Sequence, residues 1–244
     1  NIGLDRWYTL NVPSGTDTLQ MANDLGTYTN IFEVAEIVGI GGTAGKPLDP
    51  SFSLQYSLHN YGQTIQGQPG INDADVDGPE AWDMYTGING DITLAVIDSG
   101  VDPHTEYNDR LVPGWNTYSN NSDTSDGCPH GTHVAGISGA LGNNGFGIAG
   151  MNWGVKIMPI RVLAACSGGT DQCADGIIYA VDNGAKIGTM SLQYYTFSQY
   201  FEDSTIYAHT NNVLLIAANG NNRGNVVAYP AKFEFCMGIA AVNN

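Results

Sequence analysis

A chain of 244 residues, 42% hydrophobic and 13% charged, can bury one large core or a core with a small appendage, which excludes a disordered protein. The net charge of −16 repels phosphate backbones, so no nucleic acid partner is expected, and it suits a secreted or saline setting or bound calcium. No apolar stretch approaches the ~18 residues of a membrane span, and 32 glycines suit a sheet-and-loop domain more than a helical bundle.

The first predicted elements are a strand over residues 6–12, a helical stretch carrying Leu19, Met21, Ala22 and Leu25, and a strand over 31–37. Residues 1–40 thus read as a strand-helix-strand segment too small to hold a core alone, which must dock on something larger. A glycine-rich linker, 41–48, separates it from the main domain, 49–244. Asp73, Asp75 and Asp77 before Gly78 imitate the opening of an EF-hand loop, but its twelfth position is Met84, which has no carboxylate. Asp77 is instead predicted to cap a helix containing Glu80, Ala81 and Trp82.

From Trp82 onward apolar runs alternate with helical patterns, the signature of crossover units in a parallel α/β sheet. The run Ile92-Thr93-Leu94-Ala95-Val96-Ile97 delivers Asp98 to a strand end, and the polar loop 120–126 reads as solvated, with a role towards calcium or substrate left open. His130 opens the next helix. Gly145-Phe146-Gly147-Ile148-Ala149-Gly150 satisfies the dinucleotide fingerprint literally but follows a helix and starts none, so no pyrophosphate site is expected. Helices are predicted over 171–183 and 197–211, and a strand over 236–242.

A carboxylate at a sheet edge and a histidine at a helix start, 32 residues apart, can form the general-base half of a hydrolase. Taken singly, Asp98 reads equally as a turn cap and His130 as a satisfied core histidine. Cys166 and Cys173 flank the loop 167–172, so a local disulfide is expected between them, in an oxidising compartment. Cys236 is expected as a small core residue. Cys128, His130 and His133 offer three metal ligands, but no fourth.

Taken together, Ala95-Val96-Ile97-Asp98-Ser99-Gly100, His130-Gly131-Thr132-His133-Val134-Ala135-Gly136 and Ile216-Ala217-Ala218-Asn219-Gly220-Asn221 resemble the subtilisin-like serine proteases, from about Asp49 to Asn244. The resemblance implies a three-layer α/β domain with a mostly parallel twisted sheet, and an N-terminal α+β segment that looks like part of a propeptide acting in cis. It implies a secreted or extracellular endopeptidase on polypeptide substrates, with Asp98 orienting His130, His130 as base, and the Asn221 amide stabilising the oxyanion. Ser191, Leu192, Gln193, Ala218, Asn219 and Gly220 would line the substrate cleft. Calcium would be held by the Asn144 side chain and the carbonyls of Leu141, Phe146 and Ile148.

The serine motif of that family, Gly-Thr-Ser-Met-Ala, is missing from the 244 residues; Gly188-Thr189-Met190-Ser191 imitates it but falls on a cleft strand. The domain is therefore expected to be C-terminally incomplete, with the serine beyond Asn244. The sequence departs from the family at Cys128-Pro129, where relatives favour Asn-Gly, at Lys186 to Thr189, and at Gln193-Tyr194, where relatives have Gly-Gly and bulk would narrow the first specificity pocket. The alternative is a catalytically inactive binding or assembly domain.

Overall fold

The computed structural model of the chain describes residues 20, 21, 24, 25, 27, 46–88, 90–222 and 226–241. The chain divides into two compact units, 1–44 and 45–244. Of the first, Gln20, Met21, Asp24 and Leu25 are helical, and the Gln20 amide donates to the Asp24 carboxylate at 2.8 Å. The expected strands over 6–12 and 31–37 lie outside the described residues.

In the second unit the described strands are β1 (Thr64–Ile65), β2 (Gln68–Pro69), β3 (Thr93–Asp98), β4 (Trp115–Asn116), β5 (Lys156–Arg161), β6 (Ile187–Met190), β7 (Leu214–Ala218) and β8 (Met237–Ile239). The helices are α1 (Gly78–Met84), α2 (Gly131–Gly139), α3 (Thr170–Asp182) and α4 (Gln199–Thr210). Strands β1 and β2 form an antiparallel hairpin. The other six form one parallel sheet in the order β4-β5-β3-β6-β7-β8.

Side chains alternate across a strand, so a sheet buried on both faces needs apolar residues at every position. Strand β3 supplies them. Ala95 and Ile97 face a cluster with Cys173, Ala174 and Ile177 of α3 and Phe201 of α4. Leu94 and Val96 face the other way, against Ala135 of α2, Tyr107, Val155 and Ile157. These are the three layers the resemblance implies. A third cluster, Phe52, Leu58, Ala149 and Trp153, packs with Trp82 of α1.

The long helices lie within two residues of their predicted bounds. The cap of α1 is different: Asp77 makes no side-chain capping bond and sits at φ 54°. Pro79 near the helix start removes a donor that a cap would serve, and it is Asp75 that accepts the Asp77 N–H, at 2.7 Å. The loop 145–150 starts no helix.

Candidate active site

Strand β3 is where chain order in the sheet reverses: β4 and β5 lie to one side, β6, β7 and β8 to the other. In open parallel sheets ligands bind beyond the carboxyl ends of the strands at such a point. Asp98 is the last residue of β3 and is fully buried. One carboxylate oxygen, Oδ1, accepts the Ser99 N–H at 2.7 Å and lies 2.8 Å from His130 Nδ1. The second, Oδ2, is buried without a partner among the described residues.

His130 immediately precedes α2, and half of its side chain is exposed. A proton on Nδ1 shared with Asp98 leaves Nε2 as the accepting nitrogen, the tautomer a general base needs. The close approach of the two elements depends on Gly131. A Cβ there would fall 2.1 Å from the Gly100 carbonyl oxygen and 3.0 Å from Asp98 Cβ, so any side chain would force α2 off the end of β3.

A residue assigned to solvent from sequence joins these two elements. Asp126 Oδ1 accepts the Ser99 hydroxyl at 2.7 Å and the Cys128 N–H at 3.0 Å. Its Oδ2 accepts the Thr132 N–H at 2.9 Å and the Thr132 hydroxyl at 2.6 Å. Asp126 thus caps α2 from outside, where His130 makes no side-chain cap. Burial pushes its pKa up, but the hydrogen bonds from Thr132 and Ser99 outweigh burial and hold it below the ordinary aspartate value. The signal in the sequence is an acid four residues before the histidine, too generic to be read alone.

The stretch before His130 is tied down covalently. Cys128 is bonded to Cys166, 38 residues away, and not Cys166 to Cys173 as expected. Cys173 sits in the first turn of α3 with its thiol fully buried against the sheet, and burial pushes that thiol pKa up. Cys166 sits at φ 64° in a tight turn closed by paired bonds between Ala164 and Ser167, beyond the end of β5. The helix therefore points one cysteine inward, leaving the other for Cys128. The bond also takes Cys128 away from the three-ligand metal reading. Cys236 is a free, buried thiol, as expected, its pKa pushed up to about 12 by burial.

Strand register brings the remaining candidates to the same edge. Val96 pairs with Thr189, and Met190 with Ala217, so Asp98, Ser191 and Ala218 stand level at the carboxyl ends of β3, β6 and β7. Ser191 and Gln193 are exposed there, and Gly220 and Asn221 follow β7. Gln193 Oε1 accepts the Asn221 N–H at 2.7 Å, linking the two segments. Leu192 buries its side chain in the core and leaves its backbone at this edge. Asn219 is engaged by its neighbours, its N–H donating to Ile239 and its carbonyl accepting from Ala228.

A second polar centre lies at the loop 141–148. Glu106 is 4% exposed, and its Oε1 has no partner among the described residues. Burial raises its pKa, Asn144 lowers it, and the nearby Asp49 carboxylate raises it again. Asn144 donates its amide to Glu106 Oε2 at 2.9 Å, while buried Asp49 accepts the backbone N–H groups of Asn143 and Asn144. An orphaned buried carboxylate oxygen beside a second carboxylate, an Asn and a turn of carbonyls is a donor set for a hard cation. Glu106 and Asp49 escaped the sequence reading because nothing local marks them as buried. Among the described residues no three His, Cys, Asp or Glu side chains cluster, so a cation here would depend on carbonyls.

Comparison with known proteins gives this geometry a family. The subtilase family profile matches residues 89–244. The chain is 38% identical over 165 residues to a thermophilic serine proteinase of Bacillus sp. (strain AK1), covering 67% of this chain and 41% of that one. It is 34% identical over 200 residues to thermitase of Thermoactinomyces vulgaris, covering 81% and 66%. It is 37% identical to a cell wall-associated protease of Bacillus subtilis (strain 168), covering 80% and 22%. A solved protease structure from Pseudoalteromonas arctica PAMC 21717 superposes with a TM-score of 0.70 at 28% identity, over 81% of this chain and 66% of that one. The chain therefore spans between 22% and 66% of the length of these relatives. An aspartate ending the central strand, a histidine opening the next helix, and a family match that takes in both make the chain a member of the subtilase family.

Proposed function

We propose that the protein is a secreted serine endopeptidase in which these residues supply the aspartate, the histidine and the oxyanion donor, and sequence beyond Asn244 supplies the serine. The observation that carries this is the 2.8 Å contact between buried Asp98 and Nδ1 of half-exposed His130. With Nδ1 committed to Asp98, Nε2 takes the proton of the serine hydroxyl as its oxygen bonds to the scissile carbonyl carbon. The oxyanion that forms is held by the Asn221 side-chain amide and a backbone N–H. His130 then gives its proton to the departing amine as the C–N bond breaks; a water molecule, losing a proton to His130, adds to the acyl carbon, and as the ester bond breaks His130 returns that proton to the serine oxygen. The exposed outer face of β8, with Met237 and Ile239 each 51% exposed, and the open side of His130 suit the packing of further chain.

Calcium fits the centre at Glu106, which with Asp49, Asn144 and the carbonyls of Leu141, Phe146 and Ile148 would hold it; the ion supplies positive charge to a loop whose carboxylates are otherwise buried. Residues 1–40 belong to the same reading as a propeptide-like segment in cis. The disulfide suits an extracellular site.

The test is peptide hydrolysis and fluorophosphonate labelling by the full-length protein. Wild type should do both, and His130→Ala should lower kcat on the order of 10⁶-fold, the scale seen in the family prototype. A full-length protein that neither cleaves nor labels overturns the reading.

A further inference from the structure

Beyond the carboxyl ends of β6 and β7 the chain forms two facing walls, residues 191–194 on one side and 219–221 on the other. From the first wall the side chain of Gln193 reaches towards the second. Its Oε1 accepts the Asn221 N–H at 2.7 Å and the Tyr195 hydroxyl at 3.2 Å, so the carboxamide spans the crevice. Gly220, at φ +103°, faces the same atoms: a Cβ there would lie 3.3 Å from both Gln193 Oε1 and the Tyr195 hydroxyl. Even a methyl group on that wall would meet them.

The wall carrying Gln193 has little give. Tyr194, next along, exchanges paired backbone hydrogen bonds with Tyr229 at 2.9 and 2.8 Å, and its ring packs edge-on against Phe201. A substrate carbonyl held by the Asn221 amide belongs to the residue before the scissile bond. The side chain of that residue leaves from the adjacent carbon and must enter the space beside Asn221. That space is the one Gln193 spans.

We propose that Gln193 is a specificity-determining residue: bridged to Asn221 and Tyr195, it limits the residue before the cut to Gly, Ala or Ser. This rests on the protease reading of the site. A larger side chain must swing the carboxamide out and take from the Asn221 N–H its acceptor, so discrimination comes from occupied space together with a broken hydrogen bond.

The experiment measures kcat/KM of the full-length protein on tetrapeptide anilides ending in Ala, Leu or Phe. Wild type should favour Ala over Phe by about tenfold or more, the scale of a pocket that rejects bulk. Gln193→Gly should close or reverse that ratio, mostly by raising the Phe value. Gln193→Ala, checked for fold by circular dichroism, gives the same reading should the glycine variant fail to fold. A wild type that cleaves after Phe as well as after Ala, or folded variants with an unchanged ratio, overturns the role of Gln193 and leaves the protease reading standing. No hydrolysis of any anilide together with no fluorophosphonate labelling overturns both.

Discussion

Asp126 bonds the neighbours of Asp98 and His130 and so holds both ends of their geometry. Through Ser99 it grips the residue after Asp98, and through Thr132 it grips the first turn after His130. An amide in its place keeps the shape but presents an NH₂ group to donors on one side. In the full-length protein Asp126→Asn should lower kcat by roughly 100-fold with KM little changed, the scale of a small misplacement of catalytic groups. Its pKa is held below the ordinary aspartate value, so its stabilisation is complete above about pH 3.8 and lost as pH falls through the lowered value. Acid unfolding of the variant, followed by circular dichroism, should lack that increment. Equal kcat in variant and wild type would remove the positioning role.

The elements meeting at the site are held by two kinds of constraint. Apolar packing sets β3 between its helices, with Ile97 fully buried against α3 and α4. The covalent tie from Cys128 to Cys166 then fastens the loop before α2 to the turn after β5. Closing a loop of 38 residues restricts the unfolded chain by about 4 kcal/mol in the chain-entropy account. Replacing both cysteines with serine should lower unfolding free energy by about 3–4 kcal/mol in urea titrations. Cys173→Ser tests the corrected pairing, since thiol titration of the unfolded, unreduced protein should fall from two free groups to one. A rise to three would mean that Cys173 is itself a partner in the bridge.

For the molecule as a whole, the acidic balance meets the calcium question at Glu106. Its folded pKa lies above the ordinary glutamate value of 4.5, so the folded state binds a proton that the unfolded state releases. Stability attributable to this group therefore falls as pH rises from about 4.5 through the raised value. A cation that binds the ionised carboxylate reverses that loss. At pH 8, calcium at about a hundred times its dissociation constant should raise Tm by roughly 5–10 °C. Near pH 4 the gain should shrink. Glu106→Gln should abolish the calcium gain and flatten the pH dependence; a gain that survives this substitution would place the ion elsewhere.

Periodicity and punctuation along the chain were enough for the parallel α/β sheet and for both long helices, while the pairing of Asp98 with His130 was expected from the family resemblance of their two motifs. Those features are local or sit in dense motifs: a buried strand must be apolar throughout, and a helix must repeat every three to four residues. Contacts between distant segments were not legible in that way. Cys166 could reach Cys173 or Cys128, and only the inward turn of α3 decided between them. Asp126 read only as part of a polar loop and Glu106 carried no local mark, until folding set Thr132 beside one and Asn144 beside the other. Gln193 was legible as added bulk, but its bond to Asn221 across 28 residues was not. Sequence determines which segments must be buried; where two buried segments place their polar side chains against each other is decided only when the sheet brings their ends together.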